Sequence, residues 1–578
     1  MWADEDRFGG TVDVDEVQRL IRAGESLRVE FKSERRAPLS DRDIYEVVVC
    51  LANGDSGVLL VGVENDGRVT GARPRHGAST NSDHLQAAIF NNTVPPIRVR
   101  AGLHILNAHS VLTIEVDPSQ DICATREGKT LRRVMTVQGP ECLPFYPYEY
   151  PSRRSDLGLV DYSARPVEGA TMADLDPLET ERLRRTIGRR RGDSVLLPLD
   201  DRELVQALRL VETQHDSLVP NVTGLLLLGQ EASLRRFLPT YEVAFQVLDA
   251  RGNVLTNDWF HQPILKALEA VEERFAARNQ EQEVQVGLFR LPIPNYALET
   301  FREAVNNAVL HRDYTRRGTV HVQLHADHLF ITNPGGFLEG IRLDNLLVHE
   351  PKPRNSLLAE AFRRIGLVET TGRGIDKIYL GQLWYGRPLP DYTQSDRDGV
   401  RLILRGSGAN AAFAAFVYEQ DKRGTPLTLD ELLTLNALQH ERRVDVAKIA
   451  QLTQRGETYA RSVLERLVER GLIEARGERR ERVYHLSALL YRQLGASAGY
   501  IHTHGFSRIR QEAMILEYAA VHGRITRQQA SELCNMSGDQ ASRLLRGMAR
   551  VGKLHAQGGP RRGSFYVIGP LNSAIEPQ

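Results

Sequence analysis

Glu303 and Asn307 stand four residues apart in the segment FREAVNNAVLHRDY (301–314). A helix brings positions i and i+4 to one face. That face carries one carboxylate and one side-chain amide, with Ala304, Val305, Ala308 and Val309 supplying apolar surface nearby. A carboxylate can orient and deprotonate a water. An amide oxygen is a hard ligand suited to Mg²⁺, which completes its shell with waters and substrate phosphates. Two glycine-rich turns follow, in ITNPGGF (331–337) and ETTGRGIDKIY (369–379). Such turns let backbone approach a ligand closely and point N–H groups at phosphate. A buried helix with polar residues and two ordinary turns would explain each segment alone. It explains less well all three together, in order and well spaced.

At these residues the sequence resembles the GHKL-type ATPase fold. The resemblance is to the divergent branch joined to an AlbA/Schlafen-type domain in bacterial proteins regarded as predicted transcriptional regulators or RecG-like ATP-binding proteins. It implies that Glu303 is a general base and Asn307 an Mg²⁺ ligand. It also implies that NPGGF, with Asn333, Gly335 and Gly336, takes the place of an adenine-binding D-x-G-x-G loop. TGRGI, with Gly372, Arg373 and Gly374, takes the place of the second glycine box beside the phosphates. The family's H-R-D-Y is matched at His311–Tyr314, and Arg354 and Asn355 precede a helix where they could fix a nucleotide lid. Asn333 stands where the family usually has Asp; its oxygen can accept from an adenine amino group, but without charge. ATP and Mg²⁺ are the expected cofactors, with binding alone and hydrolysis both open.

The 578-residue chain is long enough for about three or four domains. Lys+Arg and Asp+Glu balance at 74 each, so any electrostatic footprint for nucleic acid must be local. The four cysteines are far apart without C-x-x-C spacing, an argument against a zinc site or a disulfide framework and for a reducing cytoplasm. No apolar run reaches the roughly 18–20 residues that span a bilayer, and MWADEDRFGG lacks a signal-peptide core. LLLLG (225–229) reads as a buried strand.

Residues 1–145 read as an α/β domain: a helix over 14–24, a strand in ESLRVEFKSE, then helix, glycine turn, apolar strand, N-D-G turn and strand over 43–74. E-F-K followed by A-N-G-D-S-G-V-L-L-V-G-V-E-N-D-G is similar to the AlbA/Schlafen-type domain. That family is linked to nucleic-acid binding and, in some members, to metal-dependent RNA cleavage through three carboxylates. The resemblance implies that Glu25 and Glu30, five apart, with Glu64 or Asp66, form such a second metal site. Arg28 and Lys32 are the candidate phosphate contacts. The alternative is a solvated strand face with cross-strand ion pairs.

Residues 146–195 read as a connector. PFYPYEYPSRRSD predicts extended structure, and RLRRTIGRRRGD continues a helix that begins at DPLETE. Residues 196–405 make the GHKL-like ATP-binding domain, with GTVHVQLHADHLFITNPG as a hairpin. Two copies of one pattern then occupy 425–490 and 505–575: three helices and a β-hairpin, the order of a winged helix-turn-helix. Leu464, Leu467, Gly471 and Ile473 of the first copy align with Leu545, Met548, Gly552 and Leu554 of the second. Candidate DNA contacts are Arg455, Tyr459, Arg461, Arg479 and Arg480 in the first copy, and Arg543, Arg561 and Arg562 in the second.

The expected fold class is multidomain α/β plus α+β: a Schlafen/AlbA-like domain, a GHKL-like ATPase α/β sandwich and tandem winged helix-turn-helix modules. The expected function is an ATP-binding, nucleic-acid-binding transcriptional regulator, cytoplasmic and homo-oligomeric, whose DNA binding follows nucleotide state. DNA is the expected partner, RNA a possible second, and no membrane is involved. The rivals are a Schlafen-like metal-dependent nuclease with the ATPase as sensor, and a scaffold with a degenerate pocket. A P-loop helicase is disfavoured because no G-x-x-x-x-G-K-[ST] occurs.

Overall fold

The computed structural model describes residues 12–54, 56–136, 139–286, 289–368, 374–477, 482–494, 508–534, 538–557 and 565–568. The chain divides into two compact units. The first holds residues 1–279, 296–378 and 390–405, and the second holds 280–295, 379–389 and 406–578.

In the first unit, the N-terminal sheet has the strand order Val29–Lys32, Gly57–Val61, His109–Val116, Val99–Leu106. Its first pair is parallel and the others antiparallel. Successive side chains alternate between faces, and both faces are covered. Phe31, Leu60 and Val111 pack with Val17 of the Val14–Ala23 helix. Leu59, Val61 and Ile114 pack on the other side with Ile44, Val48, Leu85 and Ile89. The Asp41–Ala52 helix starts at a capping box in which Ser40 and Asp43 satisfy each other's backbone N–H.

The expectation of no disulfide is overturned. Cys50, on that helix, bonds to Cys142 of the Gly139–Pro144 strand. Sequence separation and spacing motifs carry no signal here, because packing of the 131–144 hairpin on the helix is what brings the sulfurs together. The cysteine argument for a reducing compartment falls with it. Among the described residues, no helix is long and apolar enough to cross a membrane.

A second sheet of this unit runs Val254–Phe260, Val243–Leu248, Val320–Leu324, His328–Pro334, Gly399–Arg405. The 318–335 hairpin forms as its sequence indicates, with Val320–Leu324 also pairing in parallel with Val243–Leu248. Helices Ile264–Ala276 and Leu298–Leu310 pack through Phe275 stacked on Phe301, ring centroids 3.6 Å apart.

Three local readings need correction. After the N-D-G turn no strand forms over residues 67–74, where only Val69 bridges back to Val63. Val222–Leu228 is a helix, not a strand, and all seven residues are buried. A helix apolar all round is a buried one, and so short a run has no usable period; the Asn221 side chain accepting from Gly224 N–H is the cap that announces it. The segment expected to be extended holds a 3-10 turn at Pro147–Glu149 and a helix at Tyr150–Asp156. Pro147 and Pro151 fall in the first turns of these helices, where a missing N–H costs nothing. The Pro177–Arg190 helix begins, as read, under the Asp176 cap.

In the second unit, three helices and an antiparallel pair occur twice. The first set is Leu429–Glu441, Val446–Thr453 and Glu457–Glu469 with strands Ile473–Arg476 and Val483–Leu486. The second is Arg508–His522, Arg527–Leu533 and Gly538–Arg550 with Leu554–Gln557 and Phe565–Ile568. Leu464, Leu467 and Ile473, like Leu545, Met548 and Leu554, are buried. Gly471 and Gly552 turn each helix into its strand at φ of 70° and 76°, backbone that favours glycine.

Candidate functional site

The Leu298–Leu310 helix has two unlike faces. Phe301, Val305 and Val309 are buried, Phe301 against Phe275. Glu303 and Asn307 line a cavity of about 650 Å³. Asn306, one residue before Asn307, faces elsewhere: its amide donates to the Leu367 carbonyl at 3.0 Å, and it lines a different cavity. The spacing of four is therefore what selects the amide that shares a space with Glu303.

The opposite wall comes from the sheet. Ile331 pairs with Leu402 and Asn333 with Val400 across two strands, and all four line the cavity. Alternation puts the one polar group, buried Asn333, among apolar partners. Its amide nitrogen donates to the Pro334 carbonyl at 3.2 Å, leaving its oxygen as the acceptor it can offer. Such a cavity, mostly apolar with a few convergent polar groups, has the size of a cofactor site.

The glycines are there for close approach. Gly335 has φ +90°, and a Cβ on it would lie 2.7 Å from the Asp313 Cβ. A Cβ on Gly336 would lie 2.4 Å from the Asp396 carbonyl oxygen. At Gly374 a Cβ would stand 2.1 Å from Glu303 Oε1 and 3.5 Å from Asn307 Nδ2. The backbone at the start of the Gly374–Leu383 helix thus abuts the Glu/Asn pair where no side chain fits. A helix start carries unsatisfied N–H groups and a positive field, which suit phosphate.

Arg354 and Asn355 hold this site together. The Arg354 guanidinium donates to the His311 carbonyl at 3.0 Å and the Gly336 carbonyl at 2.8 Å, and pairs with Asp156. Asn355 donates to the carbonyls of Leu310 and Arg312, fastening the end of one helix to the start of the next. Arg312 is wholly buried, donates to Thr240 and Gly318 and lies over Tyr314. It is structural, as are Asp313, bound by Thr315, and Tyr314, donating to Val309. Burial first, then the Arg354 charge, push the His311 pKa down to about 4, so this cavity-lining imidazole is neutral near pH 7. His349, Lys352, Arg363, Lys377 and Tyr392 also line the cavity. No spacing in the sequence singled them out, because they come from separate loops and helices.

The residues present fit a Mg²⁺-nucleotide. The apolar walls with Asn333 suit a base, Lys352 and Lys377 suit phosphate, and the Asn307 amide is a hard oxygen donor beside the Glu303 carboxylate.

The N-terminal carboxylates are arranged differently. Arg133, almost wholly buried, pairs with Glu30, lies 4.0 Å from Glu25 and donates to the Val29 and Ser26 carbonyls. Lys32 adds a second pair to Glu30 at 2.5 Å. Burial, and after it the Glu30 charge, raise the Glu25 pKa against the Phe31 N–H and Arg133. Glu64 accepts from Ser33 and Thr70, whose hydrogen bonds lower its pKa, and Asp66 pairs with Arg68. Glu25 and Glu30 thus share Arg133, while Glu64 and Asp66 each have partners of their own. Among the described residues no group of three or more His, Cys, Asp or Glu is placed to hold a metal. Arg28 is half-buried and immediately precedes the Val29–Lys32 strand.

In the second unit, the Arg455 guanidinium lies 4.4 Å from the Tyr459 ring centre, and Tyr459 donates to Asp430 at 2.5 Å. Arg461 pairs with Glu457, and Arg543 reaches back to the Asp539 carbonyl. Gly372, Arg373, Arg479, Arg480, Arg561 and Arg562 lie outside the described residues.

Residues 25–140 match the family described as Schlafen, AlbA_2. Residues 318–404 match the family described as putative ATP-dependent DNA helicase recG C-terminal, and 154–244 match a domain of unknown function, DUF8451. The second match begins after the helix that bears Glu303 and Asn307, so the roles of these two rest on their geometry. The crystal structure of the DIP2311 protein from Corynebacterium diphtheriae is similar at 22% identity, over 83% of this chain and 98% of that chain, with a TM-score of 0.49. No curated protein matches the chain significantly.

Proposed function

We propose that this chain, which carries a Schlafen/AlbA_2 domain at its N-terminus and a recG-C-terminal-type ATPase domain, is an ATP-binding, nucleic-acid-binding transcriptional regulator. The observation that carries the reading is the convergence of Glu303, Asn307, Asn333 and Gly374 on one cavity of about 650 Å³. Ile331, Val400 and Leu402 would hold an adenine base, and the Asn333 oxygen would accept a hydrogen bond from its amino group. Lys352, Lys377 and the start of the Gly374–Leu383 helix would meet the phosphates. Asn307 would ligate Mg²⁺, which when bound neutralises phosphate charge. Glu303 orients the water and takes its proton.

The readout lies in the second unit. Its two three-helix-and-hairpin modules serve as winged helices, and the Glu457–Glu469 and Gly538–Arg550 helices enter the major groove. Arg455, Arg461 and Arg543 contact phosphates or base edges. ATP and ADP differ in how they hold the glycine turns, so DNA affinity follows nucleotide state only as far as the two forms bind DNA differently. The active form is a homo-oligomer. DNA affinity at fixed salt, measured with ATP, with ADP and with Glu303→Ala, tests this reading. It predicts a change of at least about fivefold between nucleotides, and equal affinities in all three would reject it.

A further inference from the structure

The Tyr150–Asp156 helix touches both the nucleotide site and the N-terminal domain through adjacent side chains. Ser152 donates to Asp313 at 2.5 Å, and Asp156 pairs with the Arg354 that holds His311 and the Gly336 turn. Between them, buried Arg153 donates to the Gly54 carbonyl at 3.0 Å and pairs with Glu339, three residues after Gly336, at 2.8 Å. Gly54 ends the Asp41–Ala52 helix that carries Cys50. Tyr150 donates to Thr130 at 3.0 Å and Arg154 pairs with Asp121, so both ends of the helix are fastened to the N-terminal domain.

A second thread runs parallel to it. The Gly336 N–H donates to the Arg397 carbonyl at 3.1 Å. The Arg397 guanidinium donates to the Arg133 carbonyl at 3.0 Å. Arg133 in turn holds Glu30 and the Val29 carbonyl at the edge strand of the N-terminal sheet. Both threads start at the same glycine turn and both end on backbone of the Schlafen/AlbA_2-matching segment.

We infer that nucleotide binding at the Glu303/Asn307 cavity is transmitted to the N-terminal domain through Arg153 and Arg397, so that occupancy of one site changes the backbone at Gly54 and at Arg133. This rests on the nucleotide reading above and adds to it a second responding domain, separate from the helical modules. Neither arginine lines the cavity, so neither is needed to bind nucleotide. Coupling requires only that the 335–339 turn have different positions with and without ligand, since a ligand shifts a state by its differential affinity alone. Energetic coupling is carried by such chains of hydrogen bonds and ion pairs when they join elements with two arrangements.

Hydrogen exchange of the full chain, with and without ATP and Mg²⁺, tests the inference, alongside titration calorimetry on the same samples. Wild type should bind nucleotide and slow exchange at least threefold in peptides covering 50–60 and 129–136. Arg397→Ala, a truncation of an exposed side chain, and Arg153→Ala should keep nucleotide affinity within about threefold and lose those responses, with Arg153→Lys restoring part of them. Protection confined to 298–311 and 331–378 in wild type that binds nucleotide would overturn the coupling and leave the nucleotide site standing. The same would follow if Arg397→Ala, folded and binding, kept the full response. Absence of nucleotide binding by wild type would overturn the nucleotide reading and the coupling with it.

Discussion

Glu303 and Glu30 are both nearly buried glutamates on regular elements, each singled out by spacing to a second polar group. What stands opposite differs. Glu303 faces a cavity and the bare backbone of Gly374, while Glu30 faces the Arg133 guanidinium and the Lys32 ammonium. A carboxylate opposite a cavity can act on a ligand. A carboxylate opposite two cations is already ion-paired. Residue type and spacing nominate chemistry, and the group across from the carboxylate bears on it.

The comparison breaks first at Arg133. Arg133→Met leaves Glu30 and Glu25 without their guanidinium, and removing one partner of a buried pair costs about 3–5 kcal/mol. Glu303→Gln keeps the side chain's shape and should cost less than Arg133→Met. Urea denaturation of the two variants should therefore separate them widely, and similar losses would place Glu303 in a structural role too.

The next effect is pH dependence at the nucleotide site. His311 titrates near 4 when folded against 6.5 in an open chain, so unfolding takes up a proton. Its contribution to stability is present above pH 6.5 and is lost as pH falls from 6.5 toward 4. Thermal melts across that range should fall in wild type by roughly 2–3 kcal/mol more than in His311→Asn. Parallel curves would show that burial of this imidazole costs nothing.

A smaller effect is expected at Gly374. Gly374→Ala puts a methyl 2.1 Å from Glu303 Oε1, and either the helix start or the carboxylate must move. Nucleotide affinity should drop by about tenfold, a change of about 1.4 kcal/mol. The matching change at Gly456, which has nothing within 4 Å of a Cβ, should leave nucleotide affinity unchanged.

The sequence made some of this legible for physical reasons. The i, i+4 geometry of a helix is rigid enough to put Glu303 and Asn307 on one face from the sequence, and alternation in the 318–335 hairpin leads into the N-P-G-G turn. Arg133 was not legible: it lies more than one hundred residues from Glu30 and Ser26, on a strand whose pairing brings it back. The Cys50–Cys142 bond was hidden for the same reason. The Val222–Leu228 helix was misread because a fully buried helix and a fully buried strand share one pattern over seven residues. Arg354, expected to fix a nucleotide lid, lines the cavity and bonds to Asp156 and two carbonyls, partners that only the folded chain supplies.

Calorimetric titration of ATP into wild type and Asn307→Ala, each with Mg²⁺ and with EDTA, tests most directly whether Glu303 and Asn307 form one Mg²⁺-nucleotide site. The account predicts binding to wild type that Mg²⁺ strengthens, and an Asn307→Ala affinity that is weaker by about tenfold or more and no longer responds to Mg²⁺. Wild type that binds no ATP, or an Asn307→Ala variant that binds it as wild type does, would contradict the account.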